Sequence, residues 1–296
     1  MKICISVIGL EAWFGGDFAA LAELVRIADR KGVDQVSAVD HVVMGENLAA
    51  YPYGKFPGSI DAPWIEPMIQ LATFASVTER ISLATGIVIA PLRPAAVLAK
   101  QIATLDVLSH GRVDIGLGVG WQKEEYDACG VPWENRFEVL AEQVEACKAL
   151  WAGAPAAYAG KHIRFERTYS LPLPPRGAKT PIWFGIAPMA KNIERIARLG
   201  DGWLPMERDP QKLAEPIARI RAAFAAAGRD PGELQVRASY RIERDAGGKP
   251  DLDATLAATR AYADVGVTVL RAEPAVFCRG PEDYEPFLDR VLAHRG

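Results

Sequence analysis

Apolar positions along the chain follow two alternating rhythms. Short, nearly continuous apolar runs bounded by Gly, Pro or Asp recur throughout, at residues 3–8, 35–39, 81–90, 113–119, 181–185, 201–205, 234–240 and 267–272. Runs of that length and composition predict strands buried on both faces. Between them the apolar residues repeat every three to four positions, as helices with one buried face do. Leu21, Leu24, Val25 and Ala28 mark the first such stretch, predicted over residues 17–31 with Asp17 as its cap and Gly32 as its stop. Leu98, Ile102, Leu105 and Leu108 mark another, with Pro94 at the first helical position and His110-Gly111 as the stop. Further helices are predicted over 66–79, 136–151, 188–199, 209–228, 251–265 and 281–294. Eight strand-then-helix units predict a parallel sheet closed into a (β/α)8 TIM-like barrel with insertion segments. The reading is a single domain over residues 1–296, with inserts at about 42–64, 121–135 and 155–179.

The fourth strand carries its own signal. Val113, Ile115, Leu117 and Val119 alternate with Asp114, Gly116, Gly118 and Gly120. Glycines weaken a strand, so something must approach this backbone closely: a neighbouring strand or a flat ligand. Gly86 inside the apolar third strand raises the same question. The spacing GxGxG, without a helix directly after it, is not a dinucleotide fingerprint.

In such barrels chemistry sits at the C-terminal ends of the strands. Asp40 and His41 end the second strand, and they are the predicted acid/base pair, the imidazole held by or beside a carboxylate. Gly185, Ile186 and Ala187 leave the fifth strand for a helix, where free backbone N–H groups suit a phosphate. Trp13, Phe14, Tyr51, Tyr53 and Trp64 lie in loops where they can wall an apolar pocket. Asp106 and Arg112, flanking a helix stop, read as a structural ion pair or helix-terminus contact.

Composition narrows the function classes. A net charge of −3 favours neither nucleic acid nor an anionic membrane. No apolar run approaches the roughly 20 residues of a membrane span, and the start of the chain does not read as a signal peptide. The four cysteines are dispersed, which reads as a reduced, cytoplasmic protein. The four histidines are isolated, so no metal site is expected.

Three blocks together resemble one family. RPAAVLAKQIATLDVLSHGRVDIGLGVGW (93–121), LATGIVIAPLRP and TPIWFGIAPMAKNIERIARLGDGWLP (180–205), with VDH at 39–41, are similar to the bacterial luciferase-like monooxygenase superfamily. Within it they most resemble the coenzyme F420-dependent oxidoreductases. The resemblance covers nearly the whole chain. It implies a flavin or deazaflavin at the barrel mouth, with Gly86, Ile87, Gly118 and Gly120 lining the ring. It further implies a non-proline cis peptide at or next to Gly86–Ile87, and phosphate contacts from Gly185 to Ala187. Asp40 and His41 would sit near the ring, with His41 moving a proton or polarising the substrate. The implied reaction is hydride transfer between F420 and a small organic substrate with an apolar part. FMN-dependent monooxygenation, with reduced flavin from a separate reductase, is the alternative, and a non-catalytic flavin-binding barrel is the third reading. A homodimer is implied as well. The chain departs from its relatives at Val119, where luciferase carries an Arg, and at Trp121, where the F420 sugar-phosphate dehydrogenases carry a catalytic Glu. It also reads GIAP at 185–188, where many relatives read GG or GS.

Overall fold

The computed structural model describes residues 1–295. Eight parallel strands close into a barrel: β1 (Lys2–Ser6), β2 (Gln35–Ala38), β3 (Ser82–Thr85), β4 (Val113–Gly118), β5 (Ile182–Phe184), β6 (Gly202–Trp203), β7 (Gln235–Ser239) and β8 (Val269–Ala272). Each strand pairs with the next, and β1 closes on β8 with Lys2 opposite Val269. Continuous apolar strands bury both faces here, against the outer helices and against the barrel interior, as parallel sheets require. Among the described residues no helix is long and apolar enough to cross a membrane. All four cysteines are free thiols, and burial pushes that of Cys147 up to about 12.

The elements depart from the sequence expectations at places that have physical causes. The predicted continuous third strand is broken. It stops at Thr85, passes through a cis Gly86–Ile87 peptide and resumes as Val88–Ile89, now paired with Leu117 and Gly118. Asp17 does not cap the first helix. Its carboxylate accepts from the Ala19 N–H and forms a turn, and α1 (Leu21–Lys31) begins later; α2 (Pro67–Ala75) follows β2. Pro94, with ψ 136°, stands just outside α3 (Ala95–Leu108), and Pro188 lies outside α6 (Ala190–Leu199). The helix expected over 251–265 is broken at Ala258 into Leu252–Ala257 and Thr259–Asp264. The segment read as irregular after β4 contains a short helix, α4 (Lys123–Ala128), before α5 (Arg136–Ala152). The insert before β5 is an antiparallel hairpin of Ala156–Ala159 and Arg164–Thr168, turning at Gly160.

His110 and Gly111 both take left-handed backbone, φ 56° and 85°, and stop α3 as expected. Asp106 and Arg112 do not pair with each other. Asp106 accepts from the Val113 N–H and from Arg176, whereas Arg112 donates to the carbonyls of Ser109 and Ile81 and to the Thr78 hydroxyl. Both hold the start of β4, away from the barrel mouth.

Candidate active site

The C-terminal ends of the strands surround a cavity of about 540 Å³. That is the size range of small-molecule and cofactor sites. Its floor is built around Ile87. A Cβ on Gly185 would stand 2.4 Å from Ile87 Cγ2, and one on Gly118 would stand 2.9 Å from Ile87 Cδ1. Two of the glycines flagged in the sequence thus form a seat for this one side chain. The same test at Gly116 meets Leu204 Cδ1 and the Thr85 carbonyl, both at 2.4 Å. The close approach at Gly116 and Gly118 is therefore made by the barrel's own residues, the neighbouring-strand alternative of the two that the sequence left open. Gly118 lies behind Ile87. Gly86, Ile87, Gly120, Gly185, Ile186 and Ala187 do line the cavity. Gly185→Val should force Ile87 out of its seat. Overpacking of this kind costs about 1–3 kcal/mol, read as a lowered urea midpoint. An unchanged midpoint would contradict the seat.

His41 and Asp40 both reach the cavity wall, but as separate units. His41 Nδ1 lies 3.2 Å from Glu125 Oε2, and the other Glu125 oxygen accepts from the Val42 N–H at 3.0 Å. Glu125 is fully buried. A carboxylate facing Nδ1 favours the tautomer with its hydrogen there, and in a neutral imidazole so held Nε2 is the lone-pair nitrogen. Asp40 instead accepts from Arg93 at 2.6 and 3.0 Å and from the Ile89 N–H at 2.8 Å, and Arg93 continues to Glu66. The carboxylate that holds the imidazole is Glu125 on α4, which the sequence did not single out.

An aromatic wall surrounds His41. Its ring centroid is 4.7 Å from that of Trp64 and 6.1 Å from those of Phe56 and Trp121. Tyr51 and Phe56 each stand 5.2 Å from Trp121. The loop after β2 and the exit of β4 thus meet over the cavity, and Trp121 is part of that wall.

On another side stands Arg136, the first residue of α5. Its guanidinium lies 3.6 Å from the Trp133 ring centroid and 5.1 Å from that of Phe137. Its Nε is buried without a partner, and no carboxylate pairs with it among the described residues. Burial lowers its pKa, against the opposing pull of Tyr126 and Glu134. In the turn after β5, Gly185 N–H is used by the Leu117 carbonyl, while the N–H groups of Ile186 and Ala187 donate to no group among the described residues. Open donors and an unpaired guanidinium on one cavity suit an anionic group.

The sequence model described as luciferase-like monooxygenase matches residues 8–245. An uncharacterised protein of Mycobacterium tuberculosis is 33% identical over 277 residues, covering 92% of each chain. The chain belongs to the luciferase-like monooxygenase family. Its other relatives include a 5,10-methylenetetrahydromethanopterin reductase of Methanolobus tindarius, 28% identical over 76% of this chain and 62% of that one. The oxygenase component of a flavin-dependent trigonelline monooxygenase of Acinetobacter baylyi is 30% identical over 55% of this chain and 41% of that one. The fold is shared with an F420-dependent secondary alcohol dehydrogenase, with a TM-score of 0.77 at 16% identity over 100% of this chain and 99% of that one. The relatives thus include a reductase and a flavin-dependent monooxygenase component, and the barrel is also that of an F420-dependent dehydrogenase. The barrel and the cis Gly86–Ile87 peptide of this chain are those expected from the sequence.

Proposed function

We propose that this protein is an oxidoreductase that moves a hydride between the deazaflavin coenzyme F420 and a small organic substrate with an apolar part. The observation that carries the reading is the His41–Glu125 pair, set in an aromatic wall beside a cavity floored by Gly86 and Ile87. The residues fit such a cofactor: an apolar floor for a ring system, and open N–H donors with Arg136 for its phosphate. When bound, the deazaflavin supplies a carbon centre for two-electron chemistry without oxygen.

The rest is done by the chain. Glu125 fixes the imidazole so that Nε2 takes or returns the substrate's proton as hydride leaves or arrives. Trp64, Phe56 and Trp121 exclude water from that proton and hold the apolar part of the substrate. Ile87, seated on Gly118 and Gly185, supports the ring, with Gly86 and Gly120 giving it close access. Ile186, Ala187 and Arg136 hold the phosphate. Asp40 acts through Arg93 and the Ile89 N–H, fixing the segment that follows Ile87.

Titration of the purified protein with F420 and with FMN tests the reading. Tight binding of F420 is expected; tight FMN binding with none for F420 would overturn it. The likeness to the trigonelline oxygenase component supports the second reading, FMN-dependent monooxygenation served by a separate reductase. Arg136→Met should weaken binding of the phosphate-bearing cofactor by about tenfold, the size of one lost charge-assisted contact. Affinity for riboflavin, which lacks the phosphate, should be unchanged. Equal losses for FMN and riboflavin would remove Arg136 from the phosphate site.

A further inference from the structure

Beneath Gly86 the barrel interior carries more positive charge than its carboxylates neutralise. Arg237 is 3% exposed and reaches no carboxylate directly among the described residues. Its Nη1 donates to Gln35, which in turn donates to Asp114, and its Nη2 donates to the Thr85 carbonyl. Arg271, at the end of β8, donates to Ser239 and to Glu273, but Glu273 is shared with Arg208 at 2.8 Å. Burial alone would raise the Glu273 carboxyl; Arg271 and Arg208 outweigh it and hold it below the ordinary range. The remaining amino group of Arg271, Nη1, donates to nothing among the described residues. Nη1 of Arg271 and Nη2 of Arg237 each lie 3.7 Å from the point where a Cβ on Gly86 would stand. Arg271 itself lines the cavity.

A buried cation without a full counter-charge is costly. That cost is offset when negative charge arrives beside it in a site where little water screens the attraction. Transfer of a hydride brings two electrons and one proton to a ring, which therefore gains one negative charge. The substrate loses that hydride together with a proton, which His41 takes.

We propose that Arg271, backed by Arg237, makes the Gly86 end of the cavity a site for negative charge and so favours the reduced, anionic form of the bound cofactor over the oxidised form. This rests on the reading of the cavity as a flavin or deazaflavin site. The test compares dissociation constants under anaerobic conditions for oxidised and dithionite-reduced FMN, and for oxidised and borohydride-reduced F420. The wild-type protein should bind the reduced form more tightly. Arg271→Met should lower that preference about tenfold, equivalent to ~30 mV for a two-electron couple. Arg271→Lys, which keeps the charge, should retain most of the preference. Glu273→Gln removes the shared counter-charge and should strengthen it. An unchanged ratio in Arg271→Met, or a weakened preference in Glu273→Gln, would overturn the proposal while leaving the cofactor reading intact. Should Arg271→Met not fold, the Lys and Gln variants decide between the same two outcomes. A wild-type protein that binds neither cofactor overturns both.

Discussion

Replacing His41 with alanine should lower turnover about 10²- to 10⁴-fold, the range for a lost general acid/base. Cofactor affinity should hardly move, because the ring and phosphate contacts proposed above lie on other elements. Glu125→Ala should reproduce most of that loss without removing the imidazole. The reason is geometric: with both oxygens of Glu125 engaged, at 3.2 Å to His41 Nδ1 and 3.0 Å to the Val42 N–H, its loss frees the tautomer and the loop together. Glu125→Gln is the sharper probe. A glutamine keeps one acceptor oxygen for the Val42 N–H and turns an N–H donor toward His41 Nδ1, which holds the opposite tautomer and places the hydrogen on Nε2. The double variant His41→Ala/Glu125→Ala should be little worse than His41→Ala, since the two residues act as a unit. Steady-state kinetics on all four proteins settle the matter; near-normal turnover in Glu125→Ala would refute the assigned positioning role.

The second large effect concerns stability. Asp40 and Arg93 have side chains 1% and 10% exposed and form a two-point contact. Breaking a buried pair from one side costs about 3–5 kcal/mol, because the remaining charge stays buried and alone. Asp40→Ala should therefore lower the urea midpoint strongly. Among the described residues the Arg93 guanidinium keeps only Glu66 in that variant. Asp40→Ala/Arg93→Met should recover a good part of the loss, since it removes the stranded charge as well. If the double variant is less stable than either single one, the pair is not the source of the effect. A role for Asp40 in the chemistry itself would show as lost turnover in a protein of undiminished stability.

The barrel was legible because strands buried on both faces leave long apolar runs and helices leave a three-to-four repeat, and both survive in the sequence unmixed. The site was legible only in part. Asp40 and His41 are neighbours in sequence, which suggested a pair. At the end of an extended strand, however, successive side chains point to opposite faces, and the two residues found different partners. Glu125 lies 84 positions from His41, in a charge-rich stretch that read as irregular. The one hint was a carboxylate directly preceding an apolar Tyr126 at helical spacing from Gln122, and Glu125, Tyr126 and Gln122 are all buried. Gly116 and Gly118 announced a close approach correctly, yet a glycine does not say what approaches it. Arg136 read as an ordinary first helical residue because its importance comes from what it lacks, a carboxylate partner, and that is a property of the folded chain.

The aromatic wall has an optical consequence. Trp64, Trp121 and Trp133 line the cavity, three of the seven tryptophans in the chain. Their ultraviolet emission overlaps the near-ultraviolet and blue absorption of flavins and deazaflavins, so a molecule seated on Ile87 will quench all three by resonance energy transfer. The protein thereby carries its own binding reporter. The fraction of emission lost on titration measures occupancy without a label, and replacing Trp121 with phenylalanine should shrink that signal while sparing the emission of Trp151, which is buried on α5 against α3.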